Sequence, residues 1–195
     1  MNCKIIFNLI VLGTLMIKPV NAQDKEGAIK TKEGYILYFN YENPFTLNLI
    51  GIIDLSNYPS ININGNLLDF NYGVSDYFKK EDNNILINYM NWEKGYLSEA
   101  HKKSIETFNK FIMINKIQVN LWYYINPALI NDNNWNKKQF YADFNKDKRV
   151  YRLSLMLFKG SDREAEEFLI NIIKSFKFCN EKIDIFKLAK SNIER

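Results

Sequence analysis

The residues able to do chemistry are few and scattered. His101 is the one histidine of the 195-residue chain, which excludes zinc sites built from several histidines. A Ser-His-Asp triad would have to use His101, and no serine stands in a Gly-x-Ser-x-Gly elbow to complete it. The chain contains neither Gly-x-x-x-x-Gly-Lys nor Gly-x-Gly-x-x-Gly, so the common nucleotide-binding loops are missing. Asp143, Asn145 and Asp147 copy the first three ligand positions of a calcium loop. Lys148 then stands where that loop needs glycine, and Ser154 where it needs glutamate. These residues read as the polar tip of a hairpin. Glycoside hydrolysis needs only two carboxylates at the right separation, but the spacing of Glu93, Glu99, Asp132 and Asp143 does not raise them above surface charges. No cofactor, no metal and no catalytic residue is expected.

One constellation could bind. Trp122 and Tyr124 share the polar side of a predicted strand, and Trp92 and Trp135 lie in or beside loops. Exposed aromatics anchor protein interfaces or stack on sugar rings. In a sheet covered by helices the same residues are core. The elements around them therefore decide what they do.

The clearest unit spans residues 137–178. Phe140, Ala142 and Phe144 alternate with Gln139, Tyr141 and Asp143, which predicts a strand. Residues 145–148 make a polar turn, and 150–158 return as a strand apolar on both faces near its end. Ser161 and Glu164 form a capping box for a helix whose apolar face carries Ala165, Phe168, Leu169, Ile172, Ile173 and Phe176.

Upstream, residues 34–40, 45–55 and 61–72 read as strands, the last broken by Asn64-Gly65, a strong hairpin signal. Residues 85–92 (ILINYMNW) read as a further strand. A second helix is predicted from Leu97 to about Ile114, with Ser98 as cap, His101 on its first turn and Phe108 and Phe111 on its apolar face. Residues 117–125 (IQVNLWYYI) follow as a strand, and 183–193 as a short helix docked through Phe186 and Ala189.

Residues 1–22 read as a secretory signal peptide: Lys4, an apolar run over 5–17, then Val20-Asn21-Ala22. The run is shorter than the ~20 residues of a membrane span, so no span is expected after cleavage. Residues 23–33 read as a flexible leader and 34–195 as a single domain. Loss of Lys4 and Lys18 takes the 26 basic residues to 24, against 22 acidic ones. That balance is no footprint for nucleic acid. Only Cys179 of the two cysteines remains, so the exported chain has no internal disulfide.

A curved antiparallel sheet, a long strand, a capped helix and the closing Ser175-Phe176-Lys177-Phe178 resemble the MOG1/PsbP-like α/β/α sandwich. The resemblance implies an α+β fold, an antiparallel sheet covered by two main helices, serving as a non-catalytic binding or assembly module. Several exported immunity proteins are similar in size and in their signal peptide. The expectation is a periplasmic or secreted module that binds another protein, either a toxic effector it neutralises or an envelope component. The alternative is a carbohydrate-binding or glycan-active protein that stacks sugar rings on Trp122, Tyr124 and Trp135, three of the four candidate binding aromatics, the fourth being Trp92.

Overall fold

The computed structural model describes residues 9–10, 25–58, 60–74, 84–146 and 149–193. The chain begins with strands β1 (Leu9–Ile10), β2 (Glu26–Lys30), β3 (Gly34–Phe39), β4 (Phe45–Ile50), β5 (Ile53–Asp54), β6 (Ser60–Ile63) and β7 (Asn66–Val74). Helix α1 (Ile85–Ala100) precedes β8 (Phe108–Ile114) and β9 (Ile117–Ile125). A 3-10 turn (Pro127–Leu129) leads to β10 (Lys138–Lys146), β11 (Arg149–Leu157) and α2 (Asp162–Lys174). Strand β12 (Phe176–Phe178) and α3 (Ile185–Ile193) end the chain. Two compact units result, one from the chain up to Ile53 and from Ser175 onward, the other from Asp54–Lys174.

The first unit is a sheet in the order β1-β2-β3-β4-β12, parallel at β1–β2 and antiparallel elsewhere. Phe45 sets its core, stacking on Phe39 at 4.4 Å and on Phe176 at 5.6 Å between ring centroids. Strand β2 falls in the stretch expected to be a flexible leader. Its charged ends Glu26 and Lys30 disguise a centre in which Ala28 and Ile29 are buried and paired with β3. Strand β1 falls within the expected signal peptide. At the other end, the Asn40 side chain accepts from the Ile183 N–H and donates to its carbonyl. Phe186, expected to dock α3, is 67 % exposed.

The second unit is a seven-stranded sheet in the order β5-β6-β7-β11-β10-β9-β8. Asn64 and Gly65 both take positive φ, as a two-residue hairpin turn requires, and join β6 to β7 as the expected hairpin, with Ile63 opposite Asn66. Strands β10 and β11 form the expected hairpin; Asp147 and Lys148 of its tip lie outside the described residues. Helix α2 is closed by the predicted capping box, in which the Ser161 N–H donates to Glu164 Oε2 (2.7 Å) and the Glu164 N–H to Ser161 Oγ (3.3 Å).

The stretch 85–114 reverses the sequence expectation. Residues 85–92 are helical, and the helix continues to Ala100; 108–114 are a strand. Asn84 caps α1 by accepting from the Leu86 N–H, and Leu86, Tyr89, Met90 and Leu97 are its buried residues. Their three- and four-residue spacing is that of a helical face. Ser98 is no N-cap but a last-turn residue whose hydroxyl donates to the Lys94 carbonyl and accepts from the Ile105 N–H. His101 is the C-cap of α1.

The two helices of this unit cover opposite faces of its sheet. Met90 and Leu97 of α1 pack on Trp122, Tyr124 and Tyr141. Leu169 of α2 lies over Leu121 and Phe140, which point the other way. The unit is thus an α/β/α sandwich within an α+β chain.

Candidate functional site

The face of the sheet beneath α1 is polar and buried, an arrangement that resembles chemistry. In the β10–β11 register Asp143 stands directly opposite Arg152. Arg152 Nε and Nη2 donate to the two oxygens of Asp143 at 2.7 and 2.8 Å. Trp122 Nε1 donates to Asp143 Oδ2 at 2.8 Å. From α1, Glu93 reaches Arg152 Nη1 at 2.6 Å. The guanidinium lies over the Tyr89 ring, 3.9 Å from its centroid.

The titration of these groups follows from burial. Desolvation raises the Glu93 pKa, opposed by Arg152. Burial alone would lower the Arg152 pKa, but the adjacent Asp143 carboxylate raises it overall. Desolvation pushes the Tyr124 hydroxyl to about 12 and Tyr141 well above its ordinary value, so both stay protonated. Asp143 has no exposed surface, and Trp122 and Arg152 occupy its oxygens. No reactant reaches it. The cluster does positional chemistry: it fixes α1 on the sheet.

This placement also fixes the expected binding aromatics. Trp122 and Tyr124 are each 1 % exposed, buried because α1 covers the strand face they share. Trp122 stacks on Tyr141 at 3.8 Å, and the Tyr124 hydroxyl donates to Gln139 Oε1 at 2.7 Å. Trp92 sits on α1, 56 % exposed and stacked on Tyr89. Trp135 is half-buried, with Lys159 Nζ 4.9 Å from its ring centroid. Two of the four are therefore core, and the structure does not gather the four into one groove. Of the carboxylates, Glu93 and Asp143 come together through Arg152. Sequence reasoning missed Arg152; an arginine facing an aspartate across a hairpin between apolar neighbours was the available signal. Among the described residues no cluster of His, Cys, Asp and Glu could hold a metal, and no helix is long and apolar enough to cross a membrane.

The surface that stands out is the end strand β8. Asn115 and Lys116, both at positive φ, turn it tightly into β9. In such a two-residue hairpin the residues flanking the turn, Ile114 and Ile117, form a hydrogen-bonded pair, and pairs alternate from there. Asn109, Phe111 and Met113 therefore direct their backbone N–H and C=O groups away from β9. Among the described residues no strand pairs with that outer edge. Phe108, Phe111 and Met113 are 43, 39 and 65 % exposed. Beside the strand lies a cleft of about 200 Å³, lined by Phe108, Leu121, Tyr123, Phe140 and Leu169 among others. It is smaller than the ~300–1,000 Å³ of small-molecule sites, and Lys110 bridges it to Glu166 of α2 at 2.6 Å.

No protein family and no curated protein matches the sequence. Among solved structures the chain is similar to cyanobacterial PsbP from Synechocystis sp. PCC 6803, at 11 % identity and a TM-score of 0.42. The match covers 74 % of this chain and 86 % of that one.

Proposed function

We propose that the chain is an exported, non-catalytic protein-binding module, working in the periplasm or outside the cell, with the outer edge of β8 as its binding surface. The observation that carries this reading is an unpaired, apolar edge strand: Phe108, Phe111 and Met113 are exposed beside backbone groups with no described partner. Proteins commonly blunt such edges, because a free ladder recruits another strand. The most reactive-looking constellation, around Arg152, is closed to substrate, which supports a binding role over a catalytic one. A toxic effector that the chain neutralises is the sharper form of the partner. The glycan reading loses support with the burial of Trp122 and Tyr124.

The test is capture of binding proteins by residues 23–195 from the cell envelope, run beside Phe111→Lys and Trp92→Ala. The reading expects retained protein that is lost with Phe111→Lys and kept with Trp92→Ala. Retention unchanged by Phe111→Lys would move the site off β8, and recovery of no bound protein by either chain would refute a binding module.

A further inference from the structure

We propose that Asn64 is a site of spontaneous deamidation, and that the Asn62 side chain sets its rate by holding the Gly65 N–H.

Asn64-Gly65 is the single Asn-Gly step of the chain. The reaction needs no enzyme. The Gly65 backbone nitrogen, once it has lost its proton to base, attacks the Asn64 side-chain carbonyl carbon. A new N–Cγ bond closes a succinimide ring, and the Cγ–Nδ2 bond breaks with release of ammonia. Water then opens the ring at either carbonyl, leaving aspartate or isoaspartate. The sum is asparagine plus water giving acid plus ammonia, with no oxidant or reductant. Glycine favours the attack because no Cβ crowds its nitrogen. Asn64 and Gly65 are exposed, and no heavy atom lies within 4 Å of where a Cβ on Gly65 would stand. Base and water therefore reach the turn.

One contact opposes the reaction. The ladder of a two-residue hairpin closes at the residues flanking the turn, here Ile63 opposite Asn66, so the Gly65 N–H lies outside it. That N–H donates instead to Asn62 Oδ1 at 2.9 Å. Base removes a bonded proton less readily, and the bond also holds the attacking nitrogen in place. Asn62 is exposed, on the opposite side of β6 from the buried Ile61 and Ile63.

The two products differ in consequence. Aspartate keeps the turn, because Asp-Gly suits the same geometry. Isoaspartate carries the main chain through its side-chain carbons and adds a methylene between β6 and β7. A turn of two residues at positive φ cannot absorb that and still hold Ile63 opposite Asn66. Ile61 and Ile63, 0 and 2 % exposed, then lose their place in the core.

The experiment is peptide mass spectrometry of the full-length chain during incubation in mildly alkaline buffer. It follows the amide-to-acid mass change at Asn64 and separates aspartate from isoaspartate. Asn62→Ala is expected to deamidate roughly two- to tenfold faster than the parent, the range that one hydrogen bond is worth. Asn62→Asp keeps an acceptor oxygen and is expected to stay at or below the parent rate. In denaturant the parent and Asn62→Ala should share one rate, because the bond exists only in the folded turn. Amide hydrogen exchange separates this guard from general loosening of the hairpin. In Asn62→Ala, Gly65 should lose protection while Ile61, Ile63 and Leu68 keep theirs. Equal rates for the folded parent and Asn62→Ala overturn the role of Asn62, as does Asn62→Asp reacting as fast as Asn62→Ala or loss of protection across the whole hairpin. A folded Asn62→Ala chain that keeps its amide after the denatured chain has converted overturns the modification site itself. An isoaspartate form that retains protection at Ile61 and Ile63 overturns the link to the core.

Discussion

Asp143 has no exposed surface, yet three N–H groups reach it, two from Arg152 and one from Trp122. Glu93 is less well supplied. Among the ion pairs of the described residues it meets Arg152 alone, from the middle of α1, and burial raises its pKa. The sign of the consequence is fixed. A carboxyl that titrates higher in the folded protein than in the unfolded chain makes the folded state bind more protons over that window. Stability therefore falls as pH rises from the ordinary glutamate value of 4.5 through the raised one. Glu93→Gln removes this titration. We expect the melting temperature of the parent relative to Glu93→Gln to increase as pH falls through the window and to level off below it. A difference that stays constant across the window would show that Glu93 titrates normally. The same cluster shows where residue types misled. Trp122 and Tyr124 were placed correctly on one side of their strand, but that side is covered. Pattern told the face, and only the neighbouring helix told whether the face was wet.

The helix that covers it was the least legible element. In ILINYMNW, Ile85, Ile87 and Tyr89 alternate as in a strand, while Leu86, Tyr89, Met90 and Leu97 follow helical spacing. A glycine between apolar segments reads as a break, yet Gly95 lies inside α1. Residues 108–114 then kept enough apolar content to pass for the missing helix, although Asn115-Lys116 supplies the turn of a hairpin. By contrast, the elements bounded by local chemistry were legible: Ser161 and Glu164 for α2, Asn64-Gly65 for β6–β7. Gly95 also offers a test of α1. Nothing lies within 4 Å of a Cβ added there, and glycine within a helix costs about 1 kcal/mol relative to alanine. Gly95→Ala should raise unfolding stability by roughly 0.5–1 kcal/mol in denaturant titration. Unchanged or lowered stability would contradict a continuous helix from Ile85 to Ala100.

At the scale of the whole chain, the first unit is assembled from segments far apart in sequence. Strand β12 returns to pair with β4, setting Phe176 opposite Leu47, Lys177 opposite Thr46 and Phe178 opposite Phe45. Phe45 stacks on Phe176, and the Cys179 N–H donates to the Pro44 carbonyl to finish the return. No local pattern encodes such a pairing, which explains why β4 was legible by itself while β2 and β12, whose partners lie in other segments, were not. The arrangement makes the C-terminal segment a structural part of this unit. Ending the chain after Lys174 removes β12 and α3, strips β4 of its outer ladder and uncovers the Phe39–Phe45 stack. The ladder of the second unit, from Asp54 to Lys174, stays intact in the same truncation. Amide hydrogen exchange should therefore lose protection in β3 and β4 while β9, β10 and β11 keep theirs. The full-length chain, by contrast, should protect both sets. Equal loss in both sheets would mean that the two units fold as one cooperative body, and protection retained in β4 would mean that β12 contributes no stability to the sheet it closes.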